Sequence, residues 1–257
     1  MSLRIDGRDY KEIRPITIIY GIYGNSQGSV LFQQGNTKVL CSVMLQDGVP
    51  HFLRGTGSGW LTAEYSLLPA STQMRSVREA SVMRRNNRSI EISRLIGRSL
   101  RSVLNLKLLG EKTIYLDCDV LEADGGTRTA AINGAYCALN HAIALWIEQS
   151  IIKKTLFTDT IAAISVGLKK EQFLLDVDFM EDSTVDADFN FVMTGSGAII
   201  EVQGAAEKAP ISWDSVIKMR QAAYDGIQEI LTTIAAVPCV PPTKNSLYNQ
   251  QQRFIET

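Results

Sequence analysis

The sequence predicts an α/β (α+β) fold built from two similar halves, in each of which strands are followed by a helix. Strand-like segments precede a long helical segment that ends near residue 148, and others precede one that ends near residue 236. No linker-like stretch divides the chain before Pro238. Because this alternation is typical of helices packed on mixed or antiparallel sheets, we expect one domain over residues 1–240. Residues 241–257 are polar and are expected to form a flexible tail.

Composition excludes several classes of protein. The chain has 257 residues, 45% hydrophobic and 21% charged, as in ordinary globular proteins. Its net charge is −1, so any site for a polyanion must come from local clusters of arginine. The sequence lacks an 18-residue apolar run, an apolar signal segment and CxxC pairs, so we expect a cytoplasmic protein with no membrane partner. With two histidines in the chain, catalysis would rest on Asp, Glu and Arg.

Alternating apolar residues predict the strands of the first half. Strands over 29–32 and 38–43 flank a turn at Gly35, and a further strand covers 112–121. The glycine-rich loop 54–59 leads into a strand-like segment. A dinucleotide-binding fingerprint requires a helix at that point, so dinucleotide binding is excluded.

The first two helices are predicted from residues spaced at helical intervals. A helix over 89–104 places five apolar residues on one side: Ile92, Leu95, Ile96, Leu100 and Val103. Arg94, Arg98 and Arg101 lie opposite, as either a solvated face or a basic rim facing RNA or another subunit. The second helix, 127–148, has a flank of small residues that permits close packing.

The second half repeats the pattern. Strands are predicted over 160–168 and 173–179, and another pair flanks the turn 194–197. Ser212 is a suitable N-cap for a final helix that continues to Ala236.

A candidate phosphate site lies between the strand 112–121 and the second helix. The segment Asp124-Gly125-Gly126-Thr127-Arg128 places a glycine pair where a helix begins. Free N–H groups and the positive end of the helix dipole favour an anion, and Arg128 adds a forked cation. The alternative is a glycine turn that serves local geometry alone.

An acidic cluster in the second half is a candidate metal site. Six carboxylates lie within thirteen residues: Asp176, Asp178, Glu181, Asp182, Asp186 and Asp188. Two carboxylates brought together can hold Mg²⁺, which also takes waters and phosphate oxygens. A solvated acidic hairpin is the alternative.

An arginine-rich stretch precedes the first helix and contains Arg75, Arg78, Arg84, Arg85 and Arg88. It suits either contacts to a phosphodiester backbone or a solubilising loop. A phosphate cradle, an acidic pair and an arginine loop together are what phosphoryl transfer requires.

Motifs along most of the chain resemble those of the ribonuclease PH family of phosphate-dependent 3′ exoribonucleases. The matching segments are 6–8, 14–15, 28–31, 35–39, 59–65, 91–98, 117–120, 123–130, 181–183, 192–195 and 201–204. The resemblance implies a ribosomal-protein-S5-domain-2-like fold with two pseudo-symmetric halves. It also implies a cytoplasmic homohexamer, a trimer of dimers, that trims the 3′ ends of tRNA precursors and other RNAs and does not act on DNA.

The same resemblance assigns site residues. It implies that Arg88, Gly126, Thr127 and Arg128 bind inorganic phosphate, the co-substrate. It implies that Asp182 and Asp188 are catalytic and bind Mg²⁺, one of them with general acid catalysis as an alternative role. Arg75 and Arg78 are expected to bind RNA. The chain departs from the family at Asn87 and Ala70, where glycine and arginine respectively are usual.

Two other functions remain as alternatives. A non-catalytic RNA-binding ring subunit would usually lack the phosphate arginine or the aspartate pair, and this chain retains both. A metal-dependent hydrolytic nuclease would not need the cradle at 126–128. The dependence of activity on phosphate separates phosphorolysis from hydrolysis.

Overall fold

A computed structural model describes residues 4–79 and 86–239, which form two sheets and four helices. The predicted arginines Arg84 and Arg85 and the predicted tail lie outside these ranges. The elements in chain order are β1 Ile16–Tyr20, β2 Gly28–Gln34, β3 Thr37–Asp47, β4 Trp60–Leu67, α1 Asn87–Arg101, β5 Lys112–Glu122, α2 Thr127–Glu148, β6 Ile161–Lys169, β7 Gln172–Leu175, α3 Phe179–Asp182, β8 Ala187–Thr194, β9 Ile199–Ala206 and α4 Trp213–Ala236.

The first sheet has five strands in the order β1-β2-β3-β5-β4. Its pairs are antiparallel except β4 and β5, which are parallel and are connected through α1. The second sheet has the order β7-β6-β8-β9 and is antiparallel throughout. Strands and helices in this arrangement confirm the α/β prediction. The halves differ in size, because the first carries two long helices and the second carries α4.

Helix α2 lies at the centre of the molecule and packs against both sheets. Its buried Asn133 forms two hydrogen bonds to the backbone of Ala163 in β6, at 3.0 and 2.8 Å. A Cβ at Gly134 would lie 2.8 Å from Sγ of Cys41, so close packing requires glycine there. The predicted tight packing of this flank is confirmed. The flank is buried within the chain and is therefore not available for a contact with another subunit.

Length and composition would also allow α2 to cross a membrane. However, 78% of its most apolar window is buried inside the protein. Core helices of folded proteins are commonly this long and this apolar, so the length and composition of α2 do not indicate a membrane span.

Two predicted boundaries were wrong. The predicted strand 173–179 ends at Leu175, because the chain enters the short helix α3 through a capping box formed by Asp178 and Glu181. The first helix ends at Arg101 rather than residue 104. The apolar side of this helix is buried as predicted.

Candidate active site

The glycine pair shapes the N-terminus of α2. Gly125 and Gly126 have φ values of 77° and 63°, in the left-handed region that favours glycine. A Cβ at Gly125 would lie 2.6 Å from the backbone carbon of Asp178. Gly126 is the N-cap residue and has no side chain to cap the helix. The N–H groups of the first turn, which lack intrahelical partners, are therefore left for another acceptor.

A buried arginine fixes the back of this loop. Arg14 donates to the carbonyl oxygens of Asp124 and Gly125, at 2.5 and 3.5 Å. The hydroxyl of Thr37 also donates to the Gly125 carbonyl, at 2.7 Å. With two consecutive carbonyl groups engaged on one side, the conformation of the loop is defined before any anion binds.

Arg14 also joins this loop to the acidic segment. Its guanidinium forms a bidentate ion pair with Asp176, with N–O distances of 2.5 and 2.8 Å, and both side chains are buried. The charge of Asp176 raises the pKa of Arg14 even though burial of the guanidinium acts in the opposite direction. This one pair connects the candidate phosphate site to the loop that carries Asp182.

The loop and the acidic segment border one cleft with a volume of about 530 Å³. Its walls come from the end of β4, the following loop, the start of α1, the glycine loop and α3. The lining residues are Leu67, Thr72, Gln73, Met74, Arg88, Ala123, Gly125, Gly126, Thr127, Phe179 and Asp182. Four predicted site residues, three for phosphate and one for metal, therefore share a single cavity.

The four other carboxylates of the acidic cluster have structural partners. Asp176 pairs with Arg14, and Asp178 caps α3. Glu181 pairs with Arg4 inside the protein, and Asp186 pairs with Lys208 on the surface, with an N–O distance of 2.9 Å. The solvated acidic hairpin weighed as an alternative was therefore wrong for this segment.

Asp182 and Asp188 differ from their neighbours. Burial, then the charge of Asp182, raises the pKa of Asp188 to about 6. Its Oδ1 atom is buried and finds no hydrogen-bond donor in the described part of the chain, while Oδ2 accepts from Asn190 at 3.3 Å. Partial burial in the cleft also raises the pKa of Asp182, against the nearby charges of Arg88 and Arg128.

This pair fits a divalent cation. A buried acceptor oxygen without a hydrogen-bond donor lowers the stability of the fold, and a bound cation would remove that cost. Within residues 4–79 and 86–239, no group of three or more His, Cys, Asp or Glu side chains could hold a metal. A site of two carboxylates matches Mg²⁺, which retains several waters and takes phosphate oxygens as further ligands.

The predicted phosphate arginines reach the same region from two helices. Arg88 follows Asn87 at the start of α1 and lines the cleft, and its N–H donates to the N-cap Asn86 at 3.0 Å. Arg128 extends from the first turn of α2 and donates to Gln203 in β9 and to Glu91 in α1. Its charge lowers the pKa of both Asp182 and Asp188.

Arg75 and Arg78 lie exposed in the loop between β4 and α1, just beyond Met74 in the cleft wall. Their RNA contacts remain predictions. Another carboxylate, Glu207, was not predicted from the sequence. It follows the end of β9, and its charge raises the pKa of Asp182 and Asp188. The sequence offered one indication of this position, because Glu207 directly follows the strand that pairs with β8.

An anion site at a helix N-terminus shares one cleft with Arg88 and Asp182, and Asp188 and Arg128 lie within electrostatic range of Asp182. Such a site is typical of enzymes that perform phosphoryl transfer. Comparison with known proteins gives the family. Residues 12–144 match domain 1 of the 3′ exoribonuclease family, and residues 159–226 match domain 2. The chain belongs to this family.

Its relatives include ribonuclease PH of Bacillus subtilis (strain 168), which is 50% identical over 230 residues, covering 89% of this chain and 94% of that protein. Ribonuclease PH of Moorella thermoacetica is 49% identical over 229 residues, 89% of this chain and 92% of that protein. These matches confirm the resemblance, and with the family they make the chain a phosphorolytic 3′ exoribonuclease.

Solved structures support the fold. Rice Rrp46 aligns with a TM-score of 0.74 at 17% identity, over 91% of this chain and 99% of that one. An Archaeoglobus fulgidus exosome with RNA bound to its active site aligns with a TM-score of 0.74 at 19% identity, over 90% and 92%. The predicted ribosomal-protein-S5-domain-2-like fold is confirmed.

Proposed function

We propose that this cleft removes nucleotides from the 3′ ends of tRNA precursors, with inorganic phosphate as the attacking group and Mg²⁺ as the metal. The observation that carries the proposal is the shared cavity: Arg88, Gly126, Thr127 and Asp182 line the same 530 Å³ cleft. Anion ligands and metal ligands must lie this close together if phosphate is to attack a phosphodiester beside a cation.

Phosphate binds at the N-terminus of α2 in this proposal. The N–H groups at Gly126 and Thr127 bind one side of the anion, and the guanidinium groups of Arg88 and Arg128 bind its other oxygens. The Thr127 hydroxyl is oriented by Tyr65, whose OH donates to it at 2.9 Å. The Thr127 hydroxyl can in turn donate to a phosphate oxygen.

Asp182 and Asp188 are the residues that would hold the metal. When Mg²⁺ is bound, it neutralises charge on the phosphate under attack. Asp188 must lose its proton to bind a cation, and its raised pKa makes metal affinity fall as the pH drops through about 6. Below that pH, a protonated Asp188 could instead donate to the leaving 3′ oxygen, which keeps the general-acid role open to test.

The reaction follows from these positions. An oxygen of inorganic phosphate bonds to phosphorus of the last phosphodiester, and the bond from that phosphorus to the 3′ oxygen breaks. The terminal nucleotide leaves as a nucleoside diphosphate, and the 3′ oxygen takes a proton. Because a phosphodiester is exchanged for a phosphoanhydride, we expect the reverse reaction, nucleotide addition, when nucleoside diphosphates are abundant.

Assembly and location are part of the proposal. We expect a homohexamer in the cytoplasm, with Arg75 and Arg78 contacting the body of the tRNA outside the cleft. Native mass spectrometry tests the oligomer. Arg75→Ala combined with Arg78→Ala should raise KM for a tRNA substrate and leave KM for a short single-stranded RNA unchanged.

The deciding experiment uses a tRNA with a short labelled 3′ extension, incubated with and without phosphate and Mg²⁺. We expect labelled nucleoside diphosphates when both are present. Arg128→Ala should chiefly raise KM for phosphate. Release of nucleoside monophosphates without phosphate would instead indicate a hydrolytic nuclease, and RNA binding without any release would indicate a non-catalytic subunit.

A further inference from the structure

Arg128, the proposed phosphate ligand, lies at the end of a chain of hydrogen bonds. This chain includes residues of two sequence motifs, 91–98 and 201–204, that have no role in the proposed reaction. Nη1 of Arg128 donates to Oε1 of Gln203 at 2.5 Å. Nε2 of Gln203 donates to Oε1 of Glu201 at 2.9 Å. Glu201 in turn accepts a bidentate pair from Nη2 of Arg98, at 2.7 and 2.8 Å. The chain thus connects α2, β9 and α1.

The order of the residues fixes the orientation of the Gln203 amide. A guanidinium can donate but not accept, and a carboxylate can accept but not donate. With Arg128 on one side and Glu201 on the other, the amide oxygen must face Arg128 and its nitrogen must face Glu201. Gln203 therefore presents a neutral acceptor in a defined position, which orients Arg128 without cancelling its charge.

Arg128 has a second acceptor of a different kind. Nη1 also lies 3.2 Å from Oε1 of Glu91, whose side chain is 47% exposed. A carboxylate is an anion, as phosphate is, and both suit the same guanidinium. Glu91 therefore offsets part of the positive charge of Arg128 that would attract phosphate.

We propose that Gln203 is a positioning residue for Arg128, supported by Glu201 and Arg98, and that Glu91 competes with phosphate for the same guanidinium. The proposal rests on the proposed role of Arg128 in binding phosphate. Gln203 keeps the guanidinium oriented in both states. Glu91 contacts Arg128 before phosphate arrives and releases it when phosphate binds.

Substitutions of Gln203 and Glu91 should change the affinity for phosphate in opposite directions. Gln203→Ala leaves Arg128 without its neutral acceptor and should raise KM for phosphate about tenfold, the change expected from loss of one charge-assisted hydrogen bond. Glu91→Gln removes the competing charge from a half-exposed pair and should lower KM for phosphate about two- to fivefold. KM for RNA should change in neither variant. Loss of folding would not produce shifts of opposite sign.

The experiment measures KM for inorganic phosphate, KM for RNA and Tm for the full chain, Gln203→Ala, Glu91→Gln, Glu201→Gln and Arg128→Ala. Glu201→Gln should act in the direction of Gln203→Ala, because an amide at 201 no longer forces the orientation of Gln203. Gln221→Ala is the matched control. That glutamine lies on α4, and its amide donates to Asp225 one turn later, at 3.1 Å.

The outcomes separate this inference from the function on which it rests. If Arg128→Ala raises KM for phosphate but Gln203→Ala and Glu91→Gln do not shift it in opposite directions, the positioning chain is overturned and the function stands. If Arg128→Ala leaves KM for phosphate unchanged, the proposed phosphate site fails first. Opposite shifts with unchanged KM for RNA would support the inference.

Discussion

The acidic segment 176–188 contains carboxylates in two opposite environments. Asp176 and Glu181 are buried and neutralised by the arginines of the N-terminal segment, Arg4, Arg8 and Arg14. Asp182 lines the cleft within electrostatic range of Arg88 and Arg128, and Asp188 lies within electrostatic range of Asp182 and Arg128. The two kinds of carboxylate are close in sequence, since Glu181 and Asp182 are adjacent in the chain.

Their pKa values differ in direction for that reason. Burial alone would raise the pKa of Glu181, but the hydrogen bonds from Arg4 and from the N–H of Asp178 outweigh it and lower the pKa. Burial and a neighbouring carboxylate act together on Asp188 and raise its pKa. Neutralised carboxylates stabilise the fold, whereas carboxylates without a cation cost stability and are available for a metal. Four predictions test this comparison.

The largest effect is expected on catalysis. Asp188→Asn removes a proposed metal ligand and should lower kcat on the order of 10³-fold, the loss expected when several kcal/mol of metal stabilisation disappear, while RNA binding is retained. The matched control is Asp186→Asn, two residues earlier in the chain and paired with Lys208. That variant should keep activity within about twofold, because its pair is exposed. Equal losses in both would remove the distinction between the two kinds of carboxylate.

The next effect concerns the free energy of unfolding. Arg14→Ala leaves the buried Asp176 charge without its bidentate partner and should destabilise the protein by about 3–5 kcal/mol. Urea denaturation measures the change. Lys38→Ala is the control, because its pair with Glu122 is formed by side chains that are 37% and 48% exposed. Its cost should stay below about 1 kcal/mol.

The comparison also predicts opposite pH dependence of stability. The native state holds a proton on Asp188 up to a pH of about 6, above its usual value of 3.8, so stability falls as pH rises through that window. Asp188→Asn should therefore be more stable than the original chain by about 2 kcal/mol at pH 8, with the difference vanishing near pH 4.

Glu181→Gln should show the reverse trend in the same measurement. The lowered pKa of Glu181 means that its carboxylate adds stability above the unfolded value of 4.5, which is lost as pH falls. The variant should be less stable at neutral pH, and the gap should narrow in acid. Parallel curves for Glu181→Gln and Asp188→Asn would contradict the assignment of opposite environments.

The smallest effect is expected from Glu207. Its exposed carboxylate raises the pKa of Asp188 through space, as the last of the causes that act on it. Glu207→Gln should move the acid limb of the pH–rate profile down by a few tenths of a pH unit, and less at high salt, because exposed charges are screened. Glu229→Gln on α4 serves as the control. An unchanged profile at low salt would show that Glu207 does not reach the site.

Much of the fold could be predicted because its signals are local. Apolar residues at helical spacing and the glycine pair placed α2 at residues 127–148, as the structure has it. Ser212 was correctly identified as the N-cap of α4, where it accepts a hydrogen bond from the N–H of Ser215. The end of the strand predicted over 173–179 was wrong, because the strand stops at Leu175 and recognising the capping box that follows requires reading Asp178 and Glu181 as a pair.

The candidate site was predicted less completely. The sequence by itself indicated the glycine cradle, the acidic cluster and the arginine-rich stretch that contains Arg88, since each is a short motif whose chemistry depends on neighbouring residues. It could not rank the six carboxylates from pattern alone, and the resemblance to a family was needed to choose Asp182 and Asp188. The contacts of Arg128 with Gln203 and Glu91 had no sequence signal.

Tertiary structure decided which carboxylates are neutralised. The arginines that pair with Asp176 and Glu181 lie 162 and 177 residues earlier in the chain. Coulomb energy and desolvation depend on distance and burial in space, and neither quantity is encoded in local spacing. Local sequence therefore determined the helices, the strands and the positions of charged residues along the chain. Packing determined which of those charged residues remain available for a metal and a phosphate.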